Sequence, residues 1–349
     1  MTRIAAVRPA LPPYRYPQSE LTAAFESICL PDGRGTALLR RLHANAGVSY
    51  RHLALPLERY AVLKDFGEAN DAWIAAAVDL GAEAVAGAVE DAGLTLDDVD
   101  VLMFTTVTGV AAPSIDARVA MRLGMREDVK RLPLFGLGCV GGAAGIARLH
   151  DYLKAWPTHV AVLLSVELCS LTLQRDDSSL PNLVGGALFG DGAAAVVLTG
   201  SEHPAASGPS VVATRSRLYP ESERVMGWDV GSGGFRIVLG ADVPDVVRQY
   251  LGGDVDGFLA AHGLTVPDIG TWVSHPGGPK VLEAVAETLS LRPGALELTW
   301  KSLDAVGNLS SSSVLHVLGD TLRLDPSGMG LLLAMGPGFC SELVLLEWS

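Results

Sequence analysis

Basic residues are in short supply: 26 Lys and Arg stand against 39 Asp and Glu, a formal net charge of −13. Nucleic-acid backbones are held by clustered cations, so this balance argues against a nucleic-acid surface. An anionic small ligand stays open, because a local basic rim can sit on an acidic protein. Cysteine is scarcer still. Cys29, Cys139, Cys169 and Cys340 are scattered with no CxxC pair, which points away from a zinc site or a disulfide scaffold and toward a reducing, cytoplasmic compartment. Long apolar runs are missing: stretches such as residues 161–164 fall far short of the ~20 residues that span a bilayer. Residues 1–16 lack the apolar core of a signal peptide. No metal, no organic cofactor and no membrane are expected.

What is present is apolar mass and glycine. Hydrophobic residues make up 49% of 349, with 39 glycines, a profile suited to a buried α/β interior with tight turns. Small and apolar residues at helical spacing predict a buried helix over 70–92, closed by Gly93. Continuous apolar runs predict central strands over 101–104, 132–137 and 159–166. Helices are expected over 115–123 and from the glycines after Cys139 to Lys154. The second half repeats the rhythm, with helices over 243–261, 279–289 and 308–322 and strands over 271–274, 330–335 and 342–346. Such alternation predicts mostly parallel sheets flanked by helices. The Pro-, Ala- and Ser-rich stretch 201–210 is the expected joint, giving halves 1–210 and 211–349.

Cys139 lies in FGLGCVGGAAG, at a strand-to-helix turn. Its glycines permit special backbone angles and close approach of a substrate. The helix start favours a thiolate and offers N–H donors to an oxygen becoming negative. The plain alternative is a small buried thiol where helix meets sheet. His275 ends an apolar strand in SHPGGPK, where catalytic side chains of parallel sheets project. Asn308 in GNLSSSS reads first as a helix N-cap, yet it follows Gly307 as Cys139 follows Gly138. A Cys/His/Asn set fits either a papain-like hydrolase or a decarboxylating condensing enzyme.

At these three motifs the sequence resembles the type III polyketide synthases, the chalcone synthase-like family. Residues 183–195 (LVGGALFGDGAAA) and the closing Gly336-Pro337-Gly338 share the likeness, which runs from about Gly47 to the C-terminus. The resemblance implies a thiolase-like αβαβα fold of two similar halves, a homodimer, and direct use of CoA thioesters. It implies that Cys139 carries the growing chain, that His275 activates it, and that His275 and Asn308 stabilise the enolate left by decarboxylation of a malonyl-CoA or methylmalonyl-CoA extender. Phe189 matches a gate residue. Cys169, Thr108, Ser310, Gly336, Pro337 and Gly338 are expected to line the substrate cavity, and Arg41 and Lys280 to meet CoA. The second gate position falls near Ile237 or Val238, leaving a less aromatic mouth, and Ala112 stands where the family has Met. These departures favour an aliphatic acyl-CoA starter and an alkylresorcinol or alkylpyrone product. The rival within the fold is a fatty-acid-initiating ketoacyl synthase.

Overall fold

A computed structural model describes residues 1–175 and 177–348. Its central element is a nine-stranded sheet in two halves, the four strands of the C-terminal half repeating the order of the last four strands of the N-terminal half. In the N-terminal half the order is Lys130–Phe135, Val99–Thr106, Val160–Leu168, Asp191–Thr199, Arg3–Ala10. In the C-terminal half it is Thr271–Ser274, Gly328–Gly336, Cys340–Trp348, Ser210–Leu218. Each half pairs its outer strands in parallel and its last two pairs antiparallel. The halves join where Arg3 pairs with Ser210. Val160–Leu168 and Asp191–Thr199 are buried along their whole length, which explains their unbroken apolar runs.

Three apolar clusters define the layers. One packs the helix Phe66–Asp91 and the helix Ile115–Leu123 on the outer face of the N-terminal half-sheet. A second packs the helices Val243–Ala260 and Pro279–Thr288 on the outer face of the other. Between the half-sheets, a third holds the helices Gly141–Ala155 and Ser313–Leu322. Helix, sheet, helix, sheet, helix: this is the αβαβα arrangement. The helix Phe66–Asp91 is long and apolar enough to cross a membrane, but Trp73, Ala77, Leu80, Ala84 and Ala88 bury its inner face in the core.

Element boundaries depart from expectation where side chains cap. The long helix begins four residues early because Asp65 accepts from Glu68 N at 3.0 Å. The strand expected over 132–137 instead covers Lys130–Phe135, since Gly136 takes φ 100° and turns the chain. The helix expected from Asn308 starts at Ser313, after a 3-10 turn over Ser310–Ser312.

Candidate active site

Both middle-layer helices begin at the centre of the molecule, and each is preceded by a candidate residue. Cys139 sits in the 3-10 turn Gly138–Val140 ahead of one, and Asn308 lies just ahead of the turn that starts the other. The helices meet closely because Gly142 has no side chain: a Cβ there would stand 2.4 Å from the Ser311 carbonyl oxygen. His275 follows the strand Thr271–Ser274, whose counterpart by strand order, Val99–Thr106, leads into Val107 and Thr108. The fold thus delivers matching loops from both halves to one place.

Cys139, His275 and Asn308 line a single cavity, together with Phe189, Leu188 and Met226. All three candidates are buried. Asn308 is held firmly: its N–H donates to Leu188 O at 2.8 Å, its carbonyl accepts from Gly190 N, and its Oδ1 accepts from Ser310 N at 2.8 Å. Its amide nitrogen has only a long contact, 3.4 Å to Gly277 O. With Oδ1 occupied, the NH2 is the free end, a fixed donor beside the thiol. The His275 backbone is tied to Leu333 O at 3.0 Å, while neither ring nitrogen has a partner among the described residues. Burial pushes this imidazole down to about 3 and the Cys139 thiol up to about 12. At neutral pH Cys139 is therefore a thiol and His275 a neutral imidazole.

The closing glycine motif braces the nucleophile turn. Gly138 has φ 55°, and a Cβ there would meet Pro337 at 2.6 Å. A Cβ on Gly336 would sit 2.9 Å from Val140 N and 3.3 Å from Cys139 N. Those amides are the donors at the start of the helix, so Gly336 keeps the space around them clear. Gly338, at φ 113°, carries the chain onward into the last strand.

A second space in front of Cys139 is lined by Thr108, Cys169, Ser310 and Pro337, but not by Gly336 or Gly338. The Thr108 hydroxyl is committed to Glu167 at 2.9 Å and receives Trp73 Nε1 and Leu168 N, so it shapes the wall. Ser310 Oγ is 3.9 Å from Cys139 Sγ. Phe189 borders every one of these spaces, which is where a gate would stand. Arg41 and Lys280 are exposed. They lie on neighbouring elements, because Gly47, just past the helix Thr36–Ala44 that carries Arg41, abuts Pro279.

The sequence reading missed the hairpin Met226–Gly231 and Gly234–Leu239. Ile237 and Val238 both line the space in front of Cys139, and Trp228, the cross-strand partner of Ile237, borders the same space. The mouth expected to be less aromatic thus has an indole. Strand alternation would have placed both on one face, had the Ser232-Gly233 turn been recognised. Also missed was Glu167, a fully buried carboxyl that accepts from Thr106, Val107 N, Thr108 and Ser311. Burial raises its pKa.

The family models for the N-terminal and C-terminal domains of chalcone and stilbene synthases match residues 6–203 and 210–348. The chain belongs to this family. It is a type III polyketide synthase, an acyltransferase. A 1,3,6,8-tetrahydroxynaphthalene synthase of Streptomyces peucetius subsp. caesius is 61% identical over 99% of this chain and 93% of its own length. A Bacillus subtilis protein described as a putative chalcone synthase is 33% identical, covering 100% of this chain and 99% of its own. The crystal structure of the Streptomyces coelicolor 1,3,6,8-tetrahydroxynaphthalene synthase superimposes with a TM-score of 0.93 at 27% identity, over 99% of both chains. A papain-like fold is thereby excluded, and the thiolase-like reading stands.

Proposed function

We propose that this polyketide synthase makes 1,3,6,8-tetrahydroxynaphthalene from malonyl-CoA alone. The observation that carries this is 61% identity across 99% of the chain with a synthase of that name. Ten ring carbons oxygenated at alternate positions correspond to two-carbon units throughout, so no aliphatic starter is needed. That composition turns the reading away from an alkylresorcinol or alkylpyrone. It also favours malonyl-CoA over methylmalonyl-CoA, because no carbon of the product bears a methyl group.

In this reading Cys139 attacks a malonyl thioester while His275 takes its proton. A Cys139–acyl bond forms, the CoA C–S bond breaks, and CoA leaves with the proton. A second malonyl-CoA then loses CO2, and the electron pair of that bond becomes an enolate whose oxygen is met by Asn308 Nδ2 and by His275. The enolate carbon attacks the acyl group on Cys139 and expels the thiolate. The extended chain, now on CoA, returns to Cys139. Five malonyl-CoA give the C10H8O4 product, five CO2, five CoA and one water. Arg41 and Lys280 hold the CoA phosphates by charge.

A homodimer fits as well. Lys130–Phe135 is an edge strand with Leu132 and Phe135 exposed, the kind of edge that soluble proteins cover. Incubation with malonyl-CoA as the sole substrate, followed by liquid chromatography and mass spectrometry, tests the product. A C10H8O4 species is expected; single condensation products alone would refute the naphthalene reading.

A further inference from the structure

Beyond the space in front of Cys139 lies a second, mostly apolar chamber whose wall carries a buried cation that the steps above leave unused. Leu21, Phe25 and Leu173 line it with Arg51, and Cys169 and Trp228 are shared with the space in front of Cys139. Arg51 is 2% exposed. Its Nε donates to Gln18 Oε1 at 3.1 Å and its Nη1 to Phe189 O at 2.9 Å. Its Nη2 has no hydrogen-bond partner among the described residues, nor does any described carboxylate lie within ion-pair range of the guanidinium. The buried acid whose charge acts on it, Asp191, already accepts from Ala54 N and from the N–H and hydroxyl of Ser170. Even with burial bringing Arg51 down to about 10, the group is cationic at neutral pH. A buried cation with an unpartnered N–H is costly unless an anion completes it, and the planar fork of Arg suits a carboxylate.

We propose that Arg51 binds the carboxylate at the free end of the growing chain and so holds that chain extended through this chamber until it reaches full length. The inference rests on the malonyl-primed reading above. Transfer of a malonyl group to Cys139 breaks only its thioester bond, so the carboxylate stays on the far end. Each condensation inserts two carbons between Cys139 and that end, moving the carboxylate deeper, past Trp228 and toward Arg51. The apolar walls accept the carbon chain, and the guanidinium is the one cation among the chamber's lining residues. A tail anchored there cannot fold back to close a short lactone. The carboxylate is released as the last CO2 once cyclisation begins.

The test is the product profile of Arg51→Gln under two primings. With malonyl-CoA alone, the naphthalene is expected to fall at least tenfold while short pyrones accumulate and total CoA release stays within twofold. With hexanoyl-CoA as starter and malonyl-CoA as extender, products are expected unchanged within twofold, because that chain ends in a methyl group. Arg51→Lys should restore part of the naphthalene. A merely structural role, through Nη1 on the Phe189 carbonyl, would lower both primings alike; that result, or an unchanged naphthalene share, overturns the proposal. Should the variants fail to fold, the unmodified enzyme is primed with glutaryl-CoA or with pentanoyl-CoA, equal in chain length. At least one further extension is expected on the carboxylate-ended starter, and equal extension overturns the proposal. An unmodified enzyme that makes no naphthalene sinks the proposed function, and the paired-starter comparison then still judges Arg51 by itself.

Discussion

Replacing Asn308 separates a structural task from the donor role proposed for the same side chain. Its Oδ1 accepts from the buried Ser310 N–H, and its NH2, with only a 3.4 Å contact to Gly277 O, is the donor left for a substrate oxygen. Asn308→Ala removes both. The lost donor should raise the decarboxylation barrier by about 3–4 kcal/mol, a hundredfold to a thousandfold in rate. The stranded Ser310 N–H should lower stability by about 1–3 kcal/mol. Asn308→Asp keeps the acceptor and turns the donor into a negative oxygen beside the developing enolate. It therefore spares the Ser310 N–H, loses stability only through the charge it buries, and should decarboxylate no faster than the alanine variant. The assay follows CO2 release from carboxyl-labelled malonyl-CoA, with urea midpoints for stability and intact mass for acylation of Cys139. Acylation should persist in both variants, since Cys139 and His275 are untouched. Decarboxylation within threefold of the parent in Asn308→Asp would refute the donor role.

His43, His150, His275 and His316 are held by burial at about 4, 4, 3 and 4. The unfolded chain takes up protons below 6.5 and the fold does not, so stability is full above that pH and is lost as pH falls. At pH 5.5 each histidine costs about 1.4 kcal/mol relative to pH 8, some ~5 kcal/mol together, partly offset by Asp191, which burial raises to about 6. A urea midpoint unchanged between pH 8 and 5.5 would contradict this. Gly142→Ala forces a Cβ into the 2.4 Å gap at the Ser311 carbonyl and should cost about 3 kcal/mol, read from the urea midpoint; a neutral result would mean the middle helices sit farther apart. Arg41→Ala and Lys280→Ala should raise KM for malonyl-CoA severalfold with kcat little changed, and an unaltered KM in both removes them from CoA binding.

Much of this fold was legible from the chain because its central strands are buried on both faces and so spell continuous apolar runs. The halves were legible because Gly-Cys and Gly-Asn precede two similar helices. Boundaries were less so. Asp65 could cap a helix only if the chain bends there, and Gly136 ends a strand by a backbone angle that composition does not reveal. At the site, Cys139, His275 and Asn308 announced themselves through glycine-rich turns and motif order. Trp228, Glu167 and Arg51 did not, because their importance lies in what the fold sets beside them. Trp228 owes its place to strand pairing with Ile237, and Arg51 is singled out by a buried N–H left without a partner among the described residues.

Two buried thiols, Cys139 and Cys169, border the same space, and only Cys139 is proposed to carry the growing chain. Brief exposure to malonyl-CoA, acid quench, digestion and peptide mass mapping decides between them. The added acyl mass is expected on the peptide bearing Cys139 and to vanish in Cys139→Ala. Acyl mass on Cys169, or labelling that survives Cys139→Ala, would contradict the central claim.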